Sequence, residues 1–108
     1  MDTPINEITD FDSIINSTLE DIKELILVKS KEYIRNDNPL HNFECASQIS
    51  GKHPLEVLDG FLLKHEVSIK DITSDKVKGL DVSAKQVHEK IDDNIIYLLI
   101  KKVMLLSK

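Results

Sequence analysis

The amino-acid sequence predicts an all-α fold, a bundle of three long helices with one or two short ones. Two observations predict it. Apolar residues recur every three or four positions over three long stretches, which is the period of a helix packed on its neighbours. Helix-breaking residues are few, with 3 Gly and 3 Pro in 108 residues. Because a chain of this length has room for one domain, we expect residues 1–108 to form it, with residues 1–8 as a loose lead-in.

The first long helix is expected to run from a cap at Thr9 or Asp10 to about Ile34. Lys29 interrupts its apolar stripe, and we expect the stem of this side chain to lie over apolar surface with its ammonium in water. An adjacent apolar row ends in the carboxylate of Glu32. Five residues at helical spacing form the predicted buried stripe: Ile15, Leu19, Ile22, Ile26 and Tyr33.

A turn and a short helix are predicted next. Pro39 disfavours helix in the residue before it, so residues 35–40 are expected to form the turn. The short helix should run from about Asn42 to Ser50 and end at Gly51, a typical C-terminal cap. Pro54 fits the first turn of the following long helix, with Lys52 or His53 preceding it. That helix should extend to about Ile72, with this inner face: Leu58, Phe61, Leu62, His65, Ile69 and Ile72.

The last helix follows a charged loop predicted from Thr73 to Val82. Ser83 and Gln86 match a capping box at its start, and the loop allows it to run antiparallel to its predecessor. It is apolar on two sides: Val87, Ile91, Ile95 and Leu98 form one row, and Ile96 and Ile100 lie opposite. Such a helix is either central in its bundle or half of a subunit interface. We therefore expect a homo-oligomer.

Polar residues collect at the ends of these apolar rows. Carboxylates grouped there offer oxygen ligands for Mg²⁺, and Lys64 would balance the charge of a phosphate. Two alternatives stay open: acids in a first turn suit the helix N-terminus, and Lys64 can pair with Asp71 at an ion-paired bundle end. If the first helix points its C-terminus to this end, six residues would line one pocket: Glu32, Lys64, Ser68, Asp71, Glu89 and Asp93.

Composition excludes several function classes. With 14 basic and 19 acidic residues the net charge is −5, and no basic cluster stands out, so binding of duplex nucleic acid is not expected. The longest apolar run, Ile95 to Ile100, is far below the roughly 20 residues that cross a bilayer, so no membrane partner is expected. The single Cys45 cannot form an internal disulfide, and no signal peptide is recognisable, which predicts a cytoplasmic protein.

Other possible sites carry weaker patterns. His88 and Asp92 stand four residues apart, as do His41 and Cys45, but neither pair has further ligands or a catalytic partner at close spacing. The thiol of Cys45 is expected to be buried and structural. The sequence contains no glycine-rich phosphate loop, nucleophile elbow or paired-cysteine zinc motif.

Four motifs, in this order and spacing, resemble those of a group of small phage and prophage proteins. They are Lys29-Ser-Lys-Glu-Tyr33, His41-Asn-Phe43, Lys64-His65 with Ser68 and Asp71, and Glu89-Lys-Ile-Asp-Asp93. The resemblance covers about residues 25–105. The group is similar, more remotely, to the all-α MazG-like nucleotide pyrophosphohydrolases and to the phage nucleotide-modification-associated domain. This resemblance implies a MazG-like helical bundle, frequent oligomerisation, a function that involves nucleotides, and a location in the cytoplasm of a bacterial host.

The resemblance also implies roles for particular residues. Catalysis would depend on Glu89, Asp93 and Asp71, which together with Glu32 would hold Mg²⁺. The chain departs from the MazG-like pattern on its third helix, where Lys64, Ser68 and Asp71 stand in place of Glu-x-x-Glu. The residues implied to contact a nucleotide are Lys64, His65, Ser68, Lys29, Tyr33, His41 and Asn42.

Two functions follow as hypotheses. The first is Mg²⁺-dependent hydrolysis of a nucleoside triphosphate to monophosphate and pyrophosphate by a phage or prophage nucleotide-handling protein. The second is a noncatalytic phage accessory or anti-defence protein that binds a nucleotide signal or a host protein. The incomplete carboxylate set keeps the second hypothesis open. A third possibility is a structural oligomer that binds no ligand, and oligomerisation is compatible with all three.

Overall fold

A computed structural model describes the backbone of residues 8–33 and 40–107, and the side chains of residues 10–28 and 40–107. These residues form no strand and four helices: α1 (Ile8–Tyr33), α2 (His41–Ser50), α3 (Pro54–Val77) and α4 (Ala84–Leu106). The predicted all-α fold of three long helices and a short one is confirmed. Among the described residues, no helix combines the length and the apolar character needed to span a bilayer.

Local sequence signals set several helix ends as predicted. α2 stops at Gly51, whose left-handed backbone has φ of 74° and whose N–H donates to the carbonyl oxygen of Ser47. His53 caps α3, since its Nδ1 accepts a hydrogen bond from the N–H of Leu55 at 3.1 Å. Ser83 caps α4 by accepting at Oγ from the N–H of Gln86 at 3.3 Å. Each cap satisfies a backbone donor or acceptor that the helix itself leaves unpaired.

Two predicted boundaries are wrong. α3 continues to Val77, well beyond Ile72, so the connection to α4 is shorter than the predicted loop from Thr73 to Val82. The predicted loop contains no helix breaker before Gly79, which has φ of 79° and lies just past the helix end. α1 begins at Ile8, so Thr9 and Asp10 lie within its first turn instead of capping it.

The core lies where α2 and α4 pack on α3. Leu58 is completely buried, and it forms one apolar cluster with Phe43 of α2 and Leu62. α3 and α4 run antiparallel, as predicted, because Asp59 contacts Lys101 at 2.7 Å and His65 contacts Asp93 at 3.5 Å. Half-buried residues surround this cluster: Leu40, Val57, Tyr97, Ile100 and Met104.

α1 packs against α4 over a much smaller area. Of its predicted buried stripe, Ile22 is buried, whereas Ile15, Leu19 and Ile26 are exposed, so the prediction is wrong for these three residues. The side chain of Tyr33, the fifth member, lies outside the described residues. A helical apolar period identifies a face that favours burial, but it does not say which partner covers that face.

α4 is central in the bundle, since it contacts both α1 and α3. This is one of the two arrangements that its two apolar sides predict. Ile96 is buried and Ile100 half-buried, while Ile91 and Leu98 on the other row are exposed. The inner face predicted for α3 is buried at Leu58 and Leu62, while Phe61 between them is 40% exposed. The later members of this face, His65, Ile69 and Ile72, are half-buried.

Candidate functional site

A cleft of about 620 Å³ lies between α1 and α4 near the N-terminal end of α4. The lining positions on each helix follow the spacing i, i+3, i+4, i+7, so a single face of each helix contributes. We call this the α1–α4 cleft. Its lining residues are Asp21, Glu24, Leu25 and Val28 of α1, and Lys85, His88, Glu89, Asp92 and Asp93 of α4.

Of the predicted site residues whose side chains are described, Glu89 and Asp93 line the α1–α4 cleft. Asp71 and Lys64 are exposed on α3 and do not line it. Ser68 is half-buried on the same helix, where its hydroxyl donates to the carbonyl oxygen of Lys64 at 3.4 Å. The wall opposite α4 is therefore formed by α1 and not by the polar residues of α3.

Of the remaining predicted residues, His65 lies on α3, where it contacts Asp93 of the cleft. His41 and Asn42 begin α2, away from the lining of the α1–α4 cleft, and His41 Nε2 lies 3.4 Å from Cys45 Sγ. Cys45 is half-buried, not fully buried as expected. The side chains of three others lie outside the described residues: Lys29, Glu32 and Tyr33.

Among the described residues that line the α1–α4 cleft, five carry carboxylates, against Lys85 and His88. Asp92 is the most buried of them, at 5% exposure. Burial raises the pKa of Asp92 above its usual range, and the negative charges of Asp21 and Asp93 add to the rise, while the nearby charge of His88 opposes it. A cation that entered the cleft would relieve this repulsion between carboxylates.

Asp93 connects the α1–α4 cleft to α3. Its Oδ2 lies 3.5 Å from His65 Nε2, and the other ring nitrogen, Nδ1, lies 3.1 Å from the carbonyl oxygen of Phe61. The Tyr97 ring meets the His65 ring edge to face at a centroid distance of 5.2 Å. Phe61 stacks on Tyr97 at 5.8 Å and contacts Phe43 at 5.9 Å. A row of aromatic rings therefore holds His65 against Asp93 and ties the cleft to the core.

The oxygen donors of the cleft are of the type that Mg²⁺ binds, but they are spread along two helices. Within the described part of the chain, no three His, Cys, Asp or Glu side chains lie close enough together to hold a metal ion. Of the four predicted ligands, Glu89 and Asp93 share the α1–α4 cleft, Asp71 does not line it, and the side chain of Glu32 is not described.

Sequence reasoning missed Asp21, Glu24 and Asp92 as members of this site. A signal for them was present, because Asp21-x-x-Glu24 and Glu89-x-x-Asp92 are carboxylate pairs three residues apart, and each pair lies on one helix face. The helical period places Asp21 and Glu24 on the wet side of the first helix, and they are indeed exposed. Only the packing of α1 on α4 brings the two pairs to one cleft.

No protein-family model, curated protein or solved structure matches this chain. A function for it is therefore inferred from the residues of the α1–α4 cleft and their surroundings.

Proposed function

We propose that the α1–α4 cleft binds a nucleoside triphosphate as its Mg²⁺ complex and hydrolyses it to a monophosphate and pyrophosphate. The observation that carries this proposal is the set of five carboxylates on the facing sides of two helices: Asp21, Glu24, Glu89, Asp92 and Asp93. A free triphosphate would be repelled by such a surface, so phosphate binding here requires a cation. The volume of about 620 Å³ lies within the range of small-molecule sites.

The carboxylates suit a hard cation because all of their ligand atoms are oxygen. Since no three of these described side chains lie close enough together to hold a metal ion, Asp21, Glu24, Glu89 and Asp92 would hold one only if the two walls of the cleft draw together on binding. When bound, Mg²⁺ would neutralise phosphate charge and orient a water molecule for attack on phosphorus. Burial raises the pKa of Asp92, so a proton competes with a cation at this carboxylate up to a higher pH than at an ordinary aspartate, and cation affinity should rise with pH across that acidic range.

Other residues would act on the phosphates and on the geometry of the site. Lys85 and His88 supply the positive groups among the lining residues, and they are placed to balance phosphate charge once a cation is present. His65 contacts Asp93 from α3 and would fix the orientation of that carboxylate. The roles predicted for Lys64, Ser68 and Asp71 remain predictions.

The spacing of the carboxylates supports the resemblance to MazG-like pyrophosphohydrolases. In those enzymes, carboxylates from two helices bind the metal, one helix carrying Glu-x-x-Glu and the other Glu-x-x-Asp. Here Glu89-x-x-Asp92 matches the second pattern, and Asp21-x-x-Glu24 on α1 is an acidic pair with the same spacing. We therefore assign the role of the first carboxylate pair to Asp21 and Glu24 of α1, in place of the Glu-x-x-Glu that α3 lacks.

A noncatalytic phage accessory protein is the second candidate. The observation that favours it is that no three potential ligands are close enough to hold a metal ion in the described ranges 10–28 and 40–107. In that case the chain would bind a nucleotide signal or a host protein without hydrolysis. Such binding could serve an anti-defence role.

The test is incubation of the purified protein with Mg²⁺ and a panel of ribo- and deoxyribonucleoside triphosphates, with pyrophosphate and monophosphate followed by chromatography. Glu89→Gln should reduce release at least about a hundredfold, because it removes a proposed ligand from an exposed position that makes no core contact. Asp81→Asn, an exposed acidic residue in the loop before α4, is the matched control and should keep wild-type turnover.

The outcomes separate the two candidates. If Glu89→Gln hydrolyses nucleotide as fast as the wild type, the α1–α4 cleft is not the active site. No release from any nucleotide, together with a Mg²⁺-dependent rise in melting temperature on nucleotide addition, would establish binding without catalysis. If no nucleotide is hydrolysed and none shifts the melting temperature, the nucleotide-handling function is excluded and a host protein becomes the expected partner.

A further inference from the structure

Two aromatic side chains, Phe61 of α3 and Tyr97 of α4, stack on each other close to the α1–α4 cleft. Their ring centroids are 5.8 Å apart, and the ring planes meet at 23°. We call this pair the Phe61–Tyr97 stack. Tyr97 is half-buried, whereas Phe61 is 40% exposed, although Leu58 and Leu62 on the same face of α3 are buried. The stack therefore leaves part of an aromatic ring open on a helix face that otherwise packs into the core.

The Phe61–Tyr97 stack lies one helical turn from the cleft. Asp93 lines the cleft and contacts His65 of α3 at 3.5 Å. Tyr97 follows Asp93 by four residues on α4, so the two side chains lie on the same side of that helix. Phe61 likewise precedes His65 by four residues on α3. Because α3 and α4 are antiparallel, the two contacts lie side by side, roughly 5.4 Å apart along the helices, which is less than the length of a nucleotide.

Neighbouring rings fix the orientation of Phe61. Phe43 of α2, which is buried, contacts Phe61 at a centroid distance of 5.9 Å and an angle of 64°. The His65 ring meets Tyr97 edge to face at 5.2 Å. Since Phe61 is held between rings of α2 and α4, its side chain loses little further conformational freedom when a ligand packs on it. Such a preorganised aromatic surface favours a planar aromatic group.

We propose that the Phe61–Tyr97 stack is the nucleobase site of the α1–α4 cleft, with the base packed against the exposed part of the Phe61 ring. This inference rests on the proposed function, because it concerns the base of the nucleotide whose phosphates the cleft would hold. The described lining of the cleft contains no Phe or Tyr, so an aromatic partner for the base has to lie beside it. An exposed ring alone would suit any apolar group, and its place one turn from the carboxylates is what favours a base.

The base site defines a class of substrate. Stacking of a base on an aromatic side chain strengthens binding of every base, because each base has a π face. We therefore expect nucleoside triphosphates to bind more tightly than inorganic triphosphate, which offers the same kind of phosphate chain without a base. Purine and pyrimidine nucleotides should differ only modestly, since stacking reads no hydrogen-bonding pattern.

The test is calorimetric titration of the protein, in the presence of Mg²⁺, with a nucleoside triphosphate and with inorganic triphosphate. Phe61→Leu keeps an apolar side chain but removes the ring, so it should weaken nucleotide binding roughly ten- to a hundredfold and leave inorganic triphosphate binding unchanged. Phe11→Leu is the matched control and should bind nucleotide as the wild type does, since Phe11 is 58% exposed on α1 and does not line the cleft. Unchanged nucleotide affinity in Phe61→Leu would overturn the proposal.

Nuclear magnetic resonance of the wild type keeps the proposal testable if Phe61→Leu does not fold. The ring protons of Phe61 should shift when nucleotide is added with Mg²⁺ and not when inorganic triphosphate is added, because only the base carries a ring current. Nucleotide binding without such a shift would overturn the base site.

The outcomes also separate the base site from the proposed function. If inorganic triphosphate binds as tightly as the nucleotides, the cleft binds phosphate and the base site is wrong. If nucleotides bind in a way that depends on Phe61 but are not hydrolysed, the base site is supported and the proposed hydrolysis is wrong. If neither ligand binds, both proposals are overturned.

Discussion

Asp92 is an acidic residue that is only 5% exposed, on the face of α4 that lines the α1–α4 cleft. Glu89, one turn earlier on the same helix, is exposed. Residue type alone does not distinguish the two, since both are carboxylates in the first half of one helix. Their chemistry differs because burial disfavours the charged form of Asp92 and raises its pKa, an effect that the charges of Asp21 and Asp93 increase.

This burial predicts how stability depends on pH. An acid whose pKa is raised by folding holds its proton more tightly in the folded state than in the unfolded state. The free energy of unfolding therefore falls as pH rises from about the ordinary value of 3.8 through the raised value, and the loss remains at neutral pH. Asp92→Asn should remove this loss, so the variant should melt at a higher temperature than the wild type at about pH 7, with a smaller gap near the ordinary pKa.

The measurement is thermal unfolding followed by circular dichroism across this pH range. Asp81→Asn, which changes an exposed carboxyl, should follow the wild-type curve. If Asp92→Asn is no more stable than wild type at neutral pH, the buried charge is compensated by a partner. Magnesium should raise the melting temperature of the wild type and have less effect on Asp92→Asn, because the variant lacks a proposed ligand.

At the scale of single elements, the ends of the helices follow from residues close in sequence. Gly51, His53 and Ser83 act within four residues of the helix end that each one caps, so the sequence is sufficient to predict them. The predicted start of the loop at Thr73 is wrong, because charged and polar composition alone does not end a helix. Thr73 instead donates its hydroxyl to the carbonyl oxygen of Ile69, within the helix, at 2.9 Å.

Two glycine substitutions should have opposite effects on stability. Gly51 has φ of 74°, so Gly51→Ala should destabilise the fold by about 1 kcal/mol, the strain of a side chain in left-handed backbone. Gly60 lies inside α3, and Gly60→Ala should stabilise it by about 0.5 to 1 kcal/mol through helix propensity. A Cβ at either position would meet no atom within 4 Å, so packing does not obscure the comparison.

Urea unfolding of the two variants beside the wild type measures both effects. Each alanine serves as the control for the other, since both changes add the same methyl group. If both variants lose stability, another molecule must approach the backbone at Gly60 closely, because no atom of the chain itself lies within 4 Å of a Cβ there. Such a result would point to a partner on that side of α3.

At the scale of the whole molecule, the chain is extended and thinly packed. Its principal dimensions are 46 × 27 × 22 Å, and its radius of gyration is 16.4 Å, whereas a compact domain of this length has about 13 Å. The buried cluster of Phe43, Leu58 and Leu62 joins α2 to α3 and packs against α4. Among the described side chains of α1, Ile22 is the one that is buried. The α1–α4 cleft lies on this thinly packed side of the molecule.

The homo-oligomer expected from sequence predicts a melting temperature that depends on protein concentration. If the folded chain is a dimer, mass action should raise the midpoint by roughly 3 °C for each tenfold increase in concentration. Calorimetry over a roughly hundredfold range of concentration checks this, and a constant midpoint would contradict self-association.

The sequence by itself determined the helical class, most helix ends and the antiparallel return of α4, because these depend on periodicity and capping between residues a few positions apart. It also predicted Glu89 and Asp93 as site residues, and both line the α1–α4 cleft. Tertiary structure alone decided that Asp21 and Glu24 face them, that Asp92 is buried, and that Leu19 is left exposed. Those outcomes depend on how α1 is placed against α4, and an amphipathic period specifies which face of a helix favours burial without specifying what that face meets.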